Sequence, residues 1–342
     1  MARSDFLAVL AEILTKQVDG RYLGSLRSRG AVIGTVFAFI CFACIHYPNT
    51  LMVRPHPIFW RAIMGLFSLY GMFMTYLFLL PVEEVRQTLK YFDPSLGVPM
   101  GELNYADDCR IHTPENPDSQ YANIYNAVFD AHFVAHFLGW TGKMLIMRDW
   151  YVAWICSAAF EFLELTFRHW LPNFYECWWD SLLLDLFGCN LIGIVLGNLI
   201  LKYFSVSKID WLRGKQVESK ETQTSHQCEN LIINVINKLR PAALEQYEWS
   251  GLQSLERYVG LTVFVVVCLL IDCNNFFYKY LVWVPADHDL LKFRIFLWGF
   301  AAIATSKEWY EYVSNPNCHR LGPFAWLTFY VSLIELSSIM KF

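Results

Sequence analysis

Glu161 and Glu164 stand three residues apart, and Glu176 and Asp180 four apart, on either side of a break at Pro172. In helical geometry each pair shares a face, so two acidic pairs meet across one short turn. Four carboxylates with amides nearby make a hard, oxygen-rich donor set that suits Ca2+ or Mg2+ and offers nothing softer for zinc or copper. Ca2+ fits best by ligand number. The alternative is that these acids pair only with Arg168, Lys143 and one another to hold helices together. The acids outnumber the local bases, which favours a site.

His132 and His136 lie one helical turn apart, with Lys143 seven residues beyond His136 on nearly the same face, just before Arg148 and Asp149. A histidine near its ordinary pKa is the natural base for taking a proton from an alcohol. The plainer reading is a hydrogen-bonded histidine within a bundle, and the acids nearby weigh against it. Iron ligation is set aside, because His46, His56 and His169 do not form the repeated histidine boxes that it needs. At about 100° per residue, Asn190 returns to within roughly 40° of Glu176. Asp185 falls on the opposite side of an unbroken helix and is expected to serve another site or face another helix.

These groups must be positioned by membrane helices. The chain has 342 residues, 55% hydrophobic and only 17% charged, with positive mean hydropathy, far from the balance of a soluble domain. A net charge of -4 and the lack of a Lys/Arg run exclude wrapping of nucleic acid. Apolar runs of spanning length cover 31–47, 59–80, 258–284, 290–305 and 323–340. Three further runs, 127–147, 150–167 and 177–204, carry His, Glu, Asp and Asn inside them. Each ionisable group there costs roughly 2.5–3.5 kcal/mol on insertion scales, so a cluster requires partners or a function.

The expected fold is therefore all-α, a polytopic transmembrane bundle of about 8–10 spans. Its parts are a cytosolic N-terminal segment (1–30), two first helices (31–81), a polar loop with local helix (82–126) and a catalytic transmembrane block (127–205). A linker with amphipathic interfacial helix (206–257) and a C-terminal bundle (258–342) follow. Lys16, Arg21, Arg27 and Arg29 precede the first apolar run, which reads as a retained anchor with a cytosolic N-terminus rather than a cleaved signal. The RPHP segment from Arg54 to Pro57 reads as a structural turn, the alternative being that Arg54 and His56 contact phosphate or take part in regulation. Most of the ten cysteines lie in apolar runs as packing groups, and the pair Cys41 and Cys44 lacks a second metal-ligand pair. Cys109 and Cys318 lie in polar segments and are the candidates for a disulfide if both face an oxidising lumen.

The stretches AHFLGWTGKMLIMR and FEFLELTFRHWLPNFYECWWDSLLLDLFGCN resemble the eukaryotic base-exchange phosphatidylserine synthases. The long LPNFxECWWD motif carries the likeness, supported by RPHPIFWR, the turn at Asp93 and Pro94, and the C-terminal half from Gly260. LIG after Asn190 departs from the glycines that related sequences often carry there. The resemblance implies a Ca2+-dependent, multi-pass enzyme of the endoplasmic reticulum that uses no nucleotide. Its substrates would be L-serine and phosphatidylcholine or phosphatidylethanolamine, and its products phosphatidylserine with choline or ethanolamine. His136 matches the essential histidine, and Glu161, Glu164, Asn173, Glu176, Asp180, Asp185 and Asn190 match activity-critical positions.

The candidate assignments are His136 and Asp185 as catalytic, Glu161, Glu164, Glu176 and Asp180 as metal ligands, and Asn173, Asn190, Lys143 and Arg148 as substrate-binding residues. His136 would deprotonate the serine hydroxyl or attack phosphorus itself. Trp178 or Trp179 would face a departing ammonium or anchor the membrane interface. A homodimer is compatible with the sequence. The rival readings are a CDP-alcohol phosphatidyltransferase, whose DGxxAR core the sequence does not contain, and a non-catalytic scaffold or a cation or lipid transporter.

Overall fold

The computed structural model describes residues 26–99, 106, 108–115, 119–128, 131–171, 174–204, 209–210, 215–216, 247–285 and 287–342. Within these residues the fold is a bundle of long helices. In chain order they are α1 (Leu26–His46), α2 (Pro57–Leu79), α3 (Val82–Phe92), α4 (Ala122–Val128), α5 (Ala131–Met147) and α6 (Trp150–Phe167). A π-helical segment, Asp180–Asn190, runs directly into α7 (Leu191–Phe204), and α8 (Leu255–Val282), α9 (Asp289–Ser314) and α10 (Pro323–Lys341) complete the bundle. The only strand pairing among the described residues joins Ile209–Asp210 to Lys215–Gln216. Most of the expected linker and the interfacial helix around Ile232–Ile236 lie outside the described residues.

The protein is a multi-pass membrane bundle. By length and composition, Pro57–Leu79, Asp180–Tyr203, Leu255–Val282 and Pro323–Lys341 can each cross a bilayer, and Gly30–His46 and Phe133–Met147 are shorter apolar helices. Large apolar side chains such as Ile33, Leu79, Phe162 and Phe296 point outward at about 70% exposure, the arrangement expected where lipid is the solvent. Helix ends follow local chemistry. Pro57 and Pro323 occupy first-turn positions, where a missing N–H costs nothing. Ser254 caps α8 by accepting from the Arg257 amide at 3.2 Å.

Among the described residues, the RPHP segment forms a turn leading into α2. His56 Nδ1 caps α2 by accepting from the Ile58 amide, and the Trp60 indole donates to the Arg54 carbonyl at 2.7 Å. Three packed regions form the interior. One joins α5, α6, α7 and α8 around Met144, Cys156, Phe160 and Ile194. A second joins α2, α9 and α10 around Trp60, Phe67 and Trp298, and a third lies where α2, α3 and α8 end.

The most extensive helix pair is α5 against α7. Gly193 and Gly197, one turn apart on α7, make that approach feasible. A Cβ on Gly193 would stand 2.6 Å from the Phe137 carbonyl oxygen, and one on Gly197 would stand 2.7 Å from the Met144 Cβ. Membrane helices use such small-residue faces because close backbone contact replaces the missing hydrophobic drive. The LIG stretch is thus where the helix carrying Asn190 docks on the helix carrying His136.

Candidate active site

Three elements converge on the acidic cluster. The two-residue corner Arg148–Asp149 turns α5 into α6: Arg148 takes the left-handed conformation with φ 54°, and the Asp149 carboxylate accepts from the Tyr151 and Val152 amides at 2.8 and 3.0 Å. Beyond this corner α6 packs against α5. The chain then returns through Cys177 into the π-helical segment.

That segment changes the register of its side chains. In a π-helix the backbone bonds run i to i+5, so residues five apart lie closer in direction than they do in an α-helix. Asp180, Asp185 and Asn190 are spaced at five and five. Asp185, which an unbroken α-helix would turn away, is carried into the cluster instead. Its Oδ1 lies 3.6 Å from His136 Nδ1, with both side chains mostly buried. That separation suits an ion pair and is slightly long for a hydrogen bond. Of the two expectations for Asp185, another site or another helix, the structure shows the second: its carboxylate faces α5, within the cluster rather than away from it.

Asn190, fully buried, donates to Glu161 Oε1 at 2.7 Å and so joins the end of the π-helical segment to α6. Ser181 donates to Glu176 Oε2 at 3.4 Å. Glu164 is 5% exposed. The charges of Glu161, Glu164, Glu176 and Asp185 act on one another across the cluster, and Lys143 acts on Glu161 and Glu164. Glu161 Oε2, Glu164 Oε2 and Asn190 Oδ1 are buried acceptors with no hydrogen-bond donor. Orphaned oxygens of this kind are costly in a low dielectric, and a hard cation or a substrate ammonium would satisfy them. Among the described residues, no three His, Cys, Asp or Glu side chains stand close enough together to hold an ion in this geometry. Donor chemistry, rather than a preformed cage, is what favours a cation here.

Other candidates are placed differently. The Lys143 ammonium pairs with Asp272 Oδ2 of α8 at 2.9 Å and stacks over the Trp140 ring at 3.9 Å. Arg148 is 2% exposed, donates to the Leu145 carbonyl and lies 5.0 Å from the Tyr247 ring, inside the α5–α6 corner. Arg168 pairs with no described carboxylate, and its guanidinium sits 6.0 Å from the Tyr175 ring. Asn173 lies outside the described residues, and so does the side chain of His132. Trp179 is buried and its indole donates to the Cys109 carbonyl at 3.0 Å, whereas Trp178 is 62% exposed.

Asp272 was not singled out by the sequence reading. Its signal was visible: a lone acid inside the apolar stretch LTVFVVVCLLID, where an ionisable group requires a partner. The disulfide expectation is also corrected. Cys109 bonds Cys177, with a Cα–Cα distance of 5.2 Å, while Cys318 is a free thiol in the α9–α10 turn. The bond ties the polar loop to the residue following Glu176. On the same loop, Arg110 pairs with Asp108 and holds its carboxyl down at about 2.

A family profile described as "Phosphatidyl serine synthase" matches residues 55–342. The chain is 33% identical over 311 residues to "CDP-diacylglycerol--serine O-phosphatidyltransferase 1" of Arabidopsis thaliana, covering 90% of this chain and 71% of that protein. It is similarly 31% identical over 316 residues to "Phosphatidylserine synthase 2" of Homo sapiens, covering 92% of this chain and 63% of that protein.

Proposed function

Since this chain belongs to the phosphatidyl serine synthase family, a family of phosphatidyltransferases acting on serine and phospholipid in the membrane, we propose that it forms phosphatidylserine by base exchange. L-Serine replaces the head group of phosphatidylcholine or phosphatidylethanolamine in a Ca2+-dependent reaction at the endoplasmic reticulum membrane. The observation that supports this reading is His136 set against Asp185 within a buried cluster of carboxylates whose outer oxygens lack donors. One phosphodiester replaces another, so no high-energy donor is needed, and the barrier is charge developing on phosphate.

Asp185 faces His136 Nδ1 and holds the proton there, leaving Nε2 as the base. His136 takes the serine hydroxyl proton, the serine oxygen bonds to phosphorus, the bond to the choline or ethanolamine oxygen breaks, and the proton returns to that oxygen. Glu161, Glu164, Glu176 and Asp180 form the set that would hold Ca2+, whose positive charge stabilises the phosphoryl oxygens when bound. Asn190, fixed by Glu161, lines the place where the serine amino or carboxylate group is held, with Asn173 assigned to the same task. Lys143 and Arg148 contribute from behind the site: Lys143 through its field on Glu161 and Glu164, and Arg148 by shaping the corner that sets α6.

A second reading has a specific motive, because the name of the Arabidopsis relative specifies a nucleotide-activated donor. The test is purified protein in liposomes of phosphatidylcholine and phosphatidylethanolamine with labelled serine and Ca2+. Parallel arms contain a chelator, added CDP-diacylglycerol, or the His136→Ala variant. Base exchange predicts labelled phosphatidylserine with equal release of choline or ethanolamine, without nucleotide, lost with chelator and with His136→Ala. Product formed only with CDP-diacylglycerol, with release of CMP, would replace this mechanism by the nucleotide-dependent one.

A further inference from the structure

Glu161 and Glu164 stand in the interior of α6, where the helical backbone fixes them, whereas Glu176 precedes the π-helical segment in an irregular stretch and Asp180 opens that segment. Helical bonds alone leave the connection between Glu176 and Asp180 as the least supported part of the acidic cluster. A single residue of the polar loop holds it at two points. Cys177 is bonded through its sulfur to Cys109, and two residues on, the Trp179 indole donates to the Cys109 carbonyl at 3.0 Å. Both anchors are buried, at 3% and 4% exposure. The Cys177 carbonyl in turn accepts from the amides of Asp180 and Ser181 at 2.9 and 3.1 Å. The residue tied to Cys109 therefore also starts the turn that carries Asp180.

Cys109 is itself fixed from both sides. Asn123, in the first turn of α4, directs the two N–H donors of its amide at the carbonyls flanking Cys109, that of Asp108 at 3.1 Å and that of Arg110 at 2.9 Å. Arg110 pairs with Asp108 and with Glu115. The buried Thr113 donates its amide N–H to the Gln120 carbonyl at 2.8 Å, closing the loop on the side of Asn123. The loop is braced internally, and Cys109 is the point at which it grips the chain between Glu176 and Asp180.

On the reading that this cluster holds a cation, we infer that Cys109 and Asn123 are positioning residues for it, holding the 177–179 connection so that Glu176 and Asp180 present their carboxylates together. Among the described residues the donors do not form a closed cage, so binding must draw them together. Freedom in residues 177–179 would add to the conformational entropy lost at that step. Loss of the supports behind metal ligands typically lowers affinity by roughly 10–100-fold.

The test measures Tb3+ binding to the full chain in neutral-detergent micelles, by luminescence sensitised by the protein's tryptophans, and its displacement by Ca2+. Wild type is compared with Cys109→Ser and with Asn123→Asp, which keeps the disulfide but replaces the donor amide with acceptor oxygens of the same shape. Both variants are expected to bind Tb3+ roughly 10–100-fold more weakly than wild type. In the liposome assay the Ca2+ concentration for half-maximal serine transfer should rise by a similar factor. Saturating Ca2+ should restore the wild-type maximal rate, which a merely destabilised fold would not allow. Wild-type affinity for Tb3+ in either variant overturns the proposal, as does a lowered maximal rate that Ca2+ does not restore. Asn123→Asp decides the matter should Cys109→Ser fail to fold. Absence of Ca2+-displaceable Tb3+ in wild type instead overturns the cation reading of the cluster, and the positioning role with it.

Discussion

The Lys143–Asp272 pair offers a sharp test, because it joins the helix carrying His136 to the C-terminal bundle while its cation acts on Glu161 and Glu164. At 2.9 Å and an effective dielectric of about 20, the gross attraction is ~6 kcal/mol, much of it offset by desolvation. Breaking a fully buried pair from one side costs ~3–5 kcal/mol; with side chains 25% and 23% exposed, we expect about 2–3 kcal/mol for Lys143→Met or Asp272→Leu. The double variant removes both charges and replaces them with apolar groups of similar volume. It should regain most of that stability, giving a coupling energy of about 2 kcal/mol in a double-mutant cycle. Serine-transfer activity should behave differently. The field of Lys143 on the carboxylates is absent in Lys143→Met and in the double variant, so both lose activity by about tenfold or more, equivalent to ~1.4 kcal/mol. Unfolding is followed in mixed micelles, and activity in the liposome assay. A double variant as unstable as the singles would refute the pairing. A double variant with full activity would refute the electrostatic role of Lys143 and leave it as a clamp between helices.

Asp185→Asn should preserve the fold yet lower kcat by roughly 10²–10⁴, the range for a mispositioned acid–base group, with a smaller change in KM for serine. An unchanged kcat would remove Asp185 from the site. Gly193→Val drives a side chain into the Phe137 carbonyl and should cost about 1–3 kcal/mol of stability, seen as a lower unfolding midpoint, together with loss of activity. Free accommodation would mean that α5 and α7 do not meet as closely as described. The Cys109–Cys177 bond persists only where the compartment is oxidising, so the mouth of the site should lie on the non-cytosolic side, opposite to the side that a cytosolic N-terminus followed by two spans gives the loop of Cys109. In sealed microsomes, a membrane-impermeant maleimide should then label these two cysteines only after both reduction and permeabilisation; labelling of untreated, intact vesicles would refute this.

The helices and the acids were legible in the sequence because a bilayer penalises both short apolar runs and isolated charges. A run such as 323–340 and a cluster such as Glu161, Glu164, Glu176 and Asp180 therefore stand out in composition alone. Pairings between distant segments were not legible. Lys143 could have faced substrate or a carboxylate, and its actual partner, Asp272, is 129 residues away; Cys177 lies 68 residues from Cys109. Nothing local encodes either distance. The register of Asp180–Asn190 was hidden for a different reason: counting at 3.6 residues per turn assumes α-helical hydrogen bonds, and the wider i to i+5 winding brings Asp185 nearer in direction to Asp180 than that count allows. With α-helical winding, Asn190 alone would return toward Glu176, His136 would lack an acid at Nδ1, and the site would be an acidic cleft without an oriented base. The same residues in the wider turn set Asp185 against His136 and an amide against Glu161, and on the proposed mechanism it is this winding, more than the acid count, that would make a site for alcohol deprotonation rather than a simple cation trap.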